Sequence, residues 1–239
     1  MIRPLCICYA LVDLLTLLSC CILPKLILDT MINTYRSFLH WAFQRFYNEF
    51  AWTYDMVAAL VSHGYWRRWV EAAVPLVSGD RVLELACGTG YVQRALVRQN
   101  TQTVGIDGSP FMLQHTRRKL QRAGLRSVLA QAYTQRLPFA DEIFSDVVAT
   151  FAAEYILAPN THAEAWRVLR PGGQFILIDA GYFVRRTVYT AAVDVAYRAT
   201  GQVRQNDPRP ALMEAAGFSV AERWLEVGDT RVQALIGVK

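Results

Sequence analysis

Lysine is nearly absent from this 239-residue chain, which carries it only at Lys25, Lys119 and Lys239, so the basic side chains are almost all arginine. They fall in ones and twos, as at Arg67-Arg68, Arg117-Arg118 and Arg185-Arg186, rather than in a stripe. With charged residues at 19%, a net charge of +5 describes a solvated surface and excludes a nucleic-acid footprint. Cysteine is as sparse in the body of the chain. Cys6, Cys8, Cys20 and Cys21 lie in the apolar N-terminus and only Cys87 lies beyond it, which excludes a disulfide framework and a zinc or other metal site. Such usage fits a reducing compartment. Disorder is excluded too, because 53% of the residues are hydrophobic. The length suits one main domain with attachments.

The first attachment is residues 1–30. Leu5 to Leu23 is an apolar run of 19 residues, long enough to span a bilayer but interrupted by Asp13 and closed by Pro24. Three readings compete. As an anchor, Lys25, Arg36 and Arg45 behind it put the rest of the chain on the cytoplasmic side, held to the inner face of the membrane. As a signal peptide it lacks a small-x-small cleavage site. As a mis-assigned start it falls outside the functional protein, since Met31 opens a self-consistent shorter chain. Asp13 at mid-span costs an anchor about 3 kcal/mol.

Residues 31–75 read as a helical cap. Phe38, Trp41, Ala42, Phe46 and Phe50 recur at helical spacing, and the pattern predicts helix over 33–72. The aromatic stripe packs on the main domain or, with Arg36 and Arg45 beside it, lies on a membrane.

From residue 76 to 239 short apolar runs alternate with helical stretches, the pattern of βαβ units and a mainly parallel sheet. Arg81 to Leu85 reads as a buried strand, the loop to Gly90 as a tight turn and Tyr91 to Gln99 as a helix, which is a nucleotide-binding geometry. Gly88 and Gly90 allow close approach of a ligand. A dinucleotide site wants a third glycine, and Gln93 stands there instead. Glu84 just before the loop would repel a pyrophosphate and suit a cation. Asp107, ending the next strand 23 residues later, can accept two ribose hydroxyls or cap the following helix.

The segment Glu84-x-Ala-Cys-Gly-Thr-Gly90 resembles motif I of the class I S-adenosylmethionine-dependent methyltransferases, with Ala86 in place of the usual first glycine. Arg136-Leu-Pro-Phe-Ala-Asp141 is similar to that family's Leu-Pro-Phe loop, and Trp166 to Gly173 to its helix and Pro-Gly-Gly turn, where Pro171 and Gly172-Gly173 stop the helix. Phe50-Ala-Trp-Thr-Tyr-Asp55 resembles a Tyr-Asp segment of the ubiquinone and menaquinone methylase branch. The resemblance implies a Rossmann-like α/β fold, a mainly parallel seven-stranded sheet with a C-terminal antiparallel hairpin and a helical N-terminal extension. It implies S-adenosylmethionine as cofactor, bound by Glu84, Ala86, Cys87, Gly88, Gly90, Asp107 and Gly108. It places Met112, Tyr133 and Thr134 at the adenine, Phe151 on the methionine side and Tyr54 at the cofactor's amino-acid end.

Methyl transfer is an in-line displacement in which the enzyme chiefly aligns the reactants, so no catalytic triad is needed. Glu154, Tyr155 and His162 are the candidate bases, each with an ordinary alternative: an ion pair, packing, or an exposed loop position for His162. The N-terminal helices and the stretch from Gly181 to Pro210 should cover the cofactor mouth. Phe46, Trp52, Tyr65, Trp66, Phe183 and Tyr189 supply apolar walls there, which points to a small hydrophobic acceptor, quinone-like or lipid. A cofactor-binding partner protein without turnover and a nicotinamide-dependent oxidoreductase are the competing readings.

Overall fold

A computed structural model describes residues 51–99, 101–184 and 207–239. Seven strands, β1 (Arg81–Leu85), β2 (Gln102–Asp107), β3 (Val128–Gln131), β4 (Phe144–Thr150), β5 (Leu169–Phe183), β6 (Ser219–Val227) and β7 (Thr230–Val238), form one sheet in the order β3-β2-β1-β4-β5-β7-β6. The first five run parallel, and β7 is antiparallel to both β5 and β6. Among the described residues six helices accompany them: α1 (Ala51–Val61), α2 (Trp66–Glu71), α3 (Tyr91–Arg98), α4 (Pro110–Arg122), α5 (Pro159–Val168) and α6 (Arg209–Ala215).

Both faces of the sheet are covered, and the period-2 alternation of its strands sorts the core into two layers. Leu83, Leu85, Val147, Ala149, Phe175 and Leu177 pack with α5 and α6, while Val82, Val148, Ile176 and Ile178 pack with α2 and α3. Burial on both sides explains why these strands read as unbroken apolar runs. The chain steps outward from β1 to β2 and β3, then returns to β4 on the other side of β1. The order reverses between β1 and β4, and ligands of open α/β sheets bind at the C-terminal strand ends beside such a switch point.

Two boundaries differ from expectation. The helix expected over 33–72 is broken in its described part at His63 (φ 53°) and Gly64 (φ 83°), between α1 and α2, because both residues adopt the left-handed conformation that ends a helix. Helix α5 stops at Val168 and β5 begins at Leu169, ahead of Pro171, because Leu169 already pairs with Phe144 across a bulge. Lys239 takes up the carbonyls at this helix end, donating from Nζ to Trp166 O (2.9 Å) and Leu169 O (2.7 Å). The apolar run 5–23 and the aromatic stripe 38–50 lie outside the described residues. Among the described residues no helix is long and apolar enough to cross a membrane.

Candidate active site

The loop between β1 and α3 turns through three left-handed residues, Ala86 (φ 50°), Gly88 (φ 50°) and Gly90 (φ 76°). At the two glycines this is nearly free, whereas at Ala86 a Cβ costs about 1 to 2 kcal/mol, which explains why a glycine is usual there. Three fastenings hold the turn. Cys87 N–H donates to Ile106 O (2.8 Å), Gly88 N–H to Asp107 Oδ2 (2.9 Å), and Thr116 Oγ1 on α4 to Gly88 O (2.6 Å). The other Asp107 oxygen accepts from Ser109 N–H (2.8 Å), so this carboxylate organises both the glycine loop and the turn into α4. Burial raises its pKa. Cys87 is buried and, mostly by desolvation, held as the neutral thiol, which makes it a lining residue and not a nucleophile.

Two acids are buried in the sheet, and their surroundings separate their roles. Asp146, at the start of β4, accepts from Ser78 N–H (3.3 Å), Gly79 N–H (2.9 Å) and Gln174 Nε2 (2.7 Å) and is thereby satisfied as a structural group. Glu84, at the end of β1 beneath the glycine loop, is 2% exposed, and among the described residues its Oε2 has no hydrogen-bond partner. Desolvation pushes its pKa up to about 8; Gln93 moderates the shift and the nearby Asp107 charge adds to it. A buried carboxyl oxygen left without a donor is costly, and a cation brought to it would reduce the cost.

The residues expected around an adenine separate into exposed and buried sets. Tyr133 is 60% exposed, with its ring edge against Gly108, where a Cβ would stand 3.2 Å from it. Thr134 is buried, its hydroxyl 3.0 Å from that of Thr161. Met112 is buried as well; the exposed apolar residue of that turn is its neighbour Phe111. Ser109 caps α4 by accepting from Met112 N–H (3.3 Å).

At the ends of β4 and β5 stands an aromatic wall. Phe151, at φ 48° just past β4, lies 4.6 Å from Trp66 and 6.2 Å from Trp69 between ring centroids. Phe183, at the end of β5, is 5.6 Å from Trp69 and 6.5 Å from Tyr65. Trp69 is the centre of this cluster and is fixed by its Nε1–H donating to Thr230 Oγ1 (2.8 Å). Sequence reasoning passed over it, although its three-residue spacing from Trp66 was the available signal. Phe46 and Tyr189 lie outside the described residues, as do the side chains of Trp52 and Tyr54.

His162 requires a correction. It sits within α5, not in an exposed loop, and is fully buried with Nε2 2.8 Å from Ile156 O and its ring edge-on to Phe175. Desolvation lowers its pKa and keeps it neutral; Nδ1 is buried without a partner. Tyr155 is 46% exposed beside it in the 3-10 turn Ala153–Leu157, and the side chain of Glu154 in that turn lies outside the description.

A family profile described as a methyltransferase domain matches residues 82–173, which hold the whole loop, Asp107 and β4. A demethylmenaquinone methyltransferase of Thermus thermophilus is 32% identical over 212 residues, covering 76% of this chain and 95% of that protein. The chain belongs to the class I S-adenosylmethionine-dependent methyltransferases. A demethylmenaquinone methyltransferase of Symbiobacterium thermophilum is 29% identical over 62% of this chain, which spans 66% of that protein's length. Among solved structures, an S-adenosylmethionine-dependent methyltransferase of Thermotoga maritima shares the fold, with TM-score 0.55 and 18% identity over 86% of this chain and 97% of that one.

This methyltransferase uses S-adenosylmethionine, and its site suits that cofactor on two observations. The unsatisfied Glu84 oxygen favours a cationic ligand. Among the described residues a Cβ on Gly88 would meet nothing nearer than Ala86 O at 3.9 Å, so the loop leaves space over that residue. The match to a methyltransferase domain speaks against the nicotinamide reading.

Proposed function

We propose that this methyltransferase methylates a quinone-like ring, and that the observation carrying this reading is the aromatic wall of Trp66, Phe151, Phe183 and Tyr65, packed around the buried Trp69 past the ends of β4 and β5. Flat aromatic faces suit a flat apolar acceptor better than a charged amine or a phosphorylated head group. The names of the two sequence relatives point to the same class of acceptor. In this arrangement Glu84 serves the cofactor's amino-acid end, a role the family resemblance also gives Tyr54, while Asp107 serves its ribose, Gly108, Met112, Tyr133 and Thr134 its adenine, and Phe151 its methionine side. Ala86, Cys87, Gly88 and Gly90 form the floor.

When bound, the cofactor supplies an electrophilic methyl group on a sulfonium. The protein's part is to align the acceptor with it and to keep water out. A ring carbon or hydroxyl oxygen of a reduced, phenol-like acceptor takes the methyl group as the carbon–sulfur bond breaks with its electron pair on sulfur. Either route releases one proton from the acceptor. Tyr155 and Glu154 are the groups in the 3-10 turn that could receive it.

The test is incubation with labelled S-adenosylmethionine and a lipid and quinone extract under reducing conditions, read by mass spectrometry. Label in a quinone ring supports the reading, and label confined to amines or lipid head groups overturns it. Cofactor binding with no labelled product in any fraction would make the protein a silent cofactor-binding partner.

A further inference from the structure

Helix α1 is tied to the site through one residue to which no role has yet been given. Asp55 accepts from Thr89 Oγ1 (2.6 Å) with one carboxylate oxygen and from Lys119 Nζ (2.6 Å) with the other. His115 Nε2 stands 3.7 Å from the second oxygen, and Lys119 Nζ also lies 4.0 Å above the ring of Tyr91, the first residue of α3. The two partners lie 34 and 64 residues further along the chain, so three separate elements meet at a single carboxylate. Thr89 is the residue between the two left-handed glycines and is buried at 4% exposure. Its hydroxyl therefore reports directly on the conformation of the loop.

From this geometry we infer that Asp55 is a positioning residue for methyl transfer, holding α1 and the glycine loop together so that the loop is set in its cofactor-binding shape before the cofactor arrives. The inference rests on the reading that this loop carries the cofactor. Its physical content is preorganisation. Asp107 and Thr116 fix Gly88 from one side, leaving the Thr89 side chain as the remaining free handle of the turn, and Asp55 takes it with a charge-assisted bond. Lys119 balances the carboxylate charge and anchors it to α4, so loop, α1 and α4 move as a unit. Tyr54 precedes Asp55 in the same helix, so the bond also sets the place from which that residue can approach the cofactor.

Calorimetric titration with S-adenosylhomocysteine tests this, using the full chain, the variants Asp55→Asn, Thr89→Val and Thr89→Ser, and the double variant Asp55→Asn with Thr89→Val. The expected result is an affinity loss of about tenfold in Asp55→Asn and in Thr89→Val, the double variant losing no more than the weaker single, and near-recovery in Thr89→Ser, which keeps the hydroxyl. In steady state the cofactor KM should rise by the same factor while kcat at saturation changes by less than about threefold. Additive losses in the double variant, or unchanged affinity with a lower melting temperature, would overturn the inference and leave Asp55 a purely structural contact. Absence of binding by the unaltered chain would instead remove the cofactor reading of the loop, and this inference with it.

Discussion

Gly90 is pressed so closely against Thr116 that a Cβ on it would overlap the Thr116 methyl group, whereas the same atom on Gly88, two residues earlier, would have space around it among the described residues. The two glycines are therefore required for different reasons. Gly90→Ala should cost the ligand-free protein about 2 to 4 kcal/mol, through the clash and its φ of 76° together. Gly88→Ala should cost only about 1 kcal/mol of stability yet weaken S-adenosylmethionine binding at least about tenfold, because its Cβ occupies the space over the loop. Urea melts and calorimetry on the same two samples separate these effects, and equal binding by Gly88→Ala and wild type would show that the loop does not touch the cofactor.

Asp107→Ala removes the acceptor of Gly88 N–H and Ser109 N–H at once. We expect a loss of about 1 to 3 kcal/mol in cofactor affinity and a stability loss of similar size. Unchanged affinity in the folded variant would leave Asp107 as a cap alone.

Glu84 gives a pH signature with a definite sign. In the unfolded chain its carboxyl ionises near the ordinary 4.5, and in the folded one near 8. Between these values the folded state holds a proton that the unfolded state has released, so stability is greatest below the lower pKa and falls as pH rises toward the upper one. The loss reaches on the order of 3 kcal/mol at pH 7. Glu84→Gln should flatten this slope in urea titrations from pH 5 to about 8 and raise neutral-pH stability, while weakening cofactor binding. Parallel pH profiles for the two proteins would exclude Glu84 as the source.

The apolar run at 5–23 makes its own prediction. If residues 1–30 are a genuine anchor, the full chain should sediment with membranes and resist carbonate extraction, and a chain begun at Met31 should not. Turnover of a soluble acceptor should be equal in the two forms, and a membrane-resident acceptor should favour the longer one through its raised local concentration. Full release of the complete chain by carbonate would rule the anchor out.

Much of the site was legible because its signals are local. Strand, turn and helix around Glu84 to Gly90, and the acid closing β2, are consequences of spacing along the chain. Asp107 shows the limit of that reading: spacing offers ribose contact and cap as alternatives, yet its two oxygens organise two backbone segments whatever ligand they also serve. Asp55 and Thr116 were not legible in these roles, because each depends on a neighbour brought close only by folding. His162 was misplaced for a related reason. A polar residue amid Pro159, Asn160 and Thr161 suggests a loop, but Pro159 opens a helix, and the tertiary core then claims the imidazole.

The division of labour between Gly88 and Gly90 also bears on descent. A copy of this gene released from methyl transfer but still under selection to fold would remain constrained at position 90, where the protein itself forbids a side chain. Position 88 would drift first, toward asparagine or aspartate, which tolerate the left-handed backbone without leaving room for a ligand. Among related sequences, the pair 88 and 90 would then mark which lineages have kept the reaction and which retain only its scaffold.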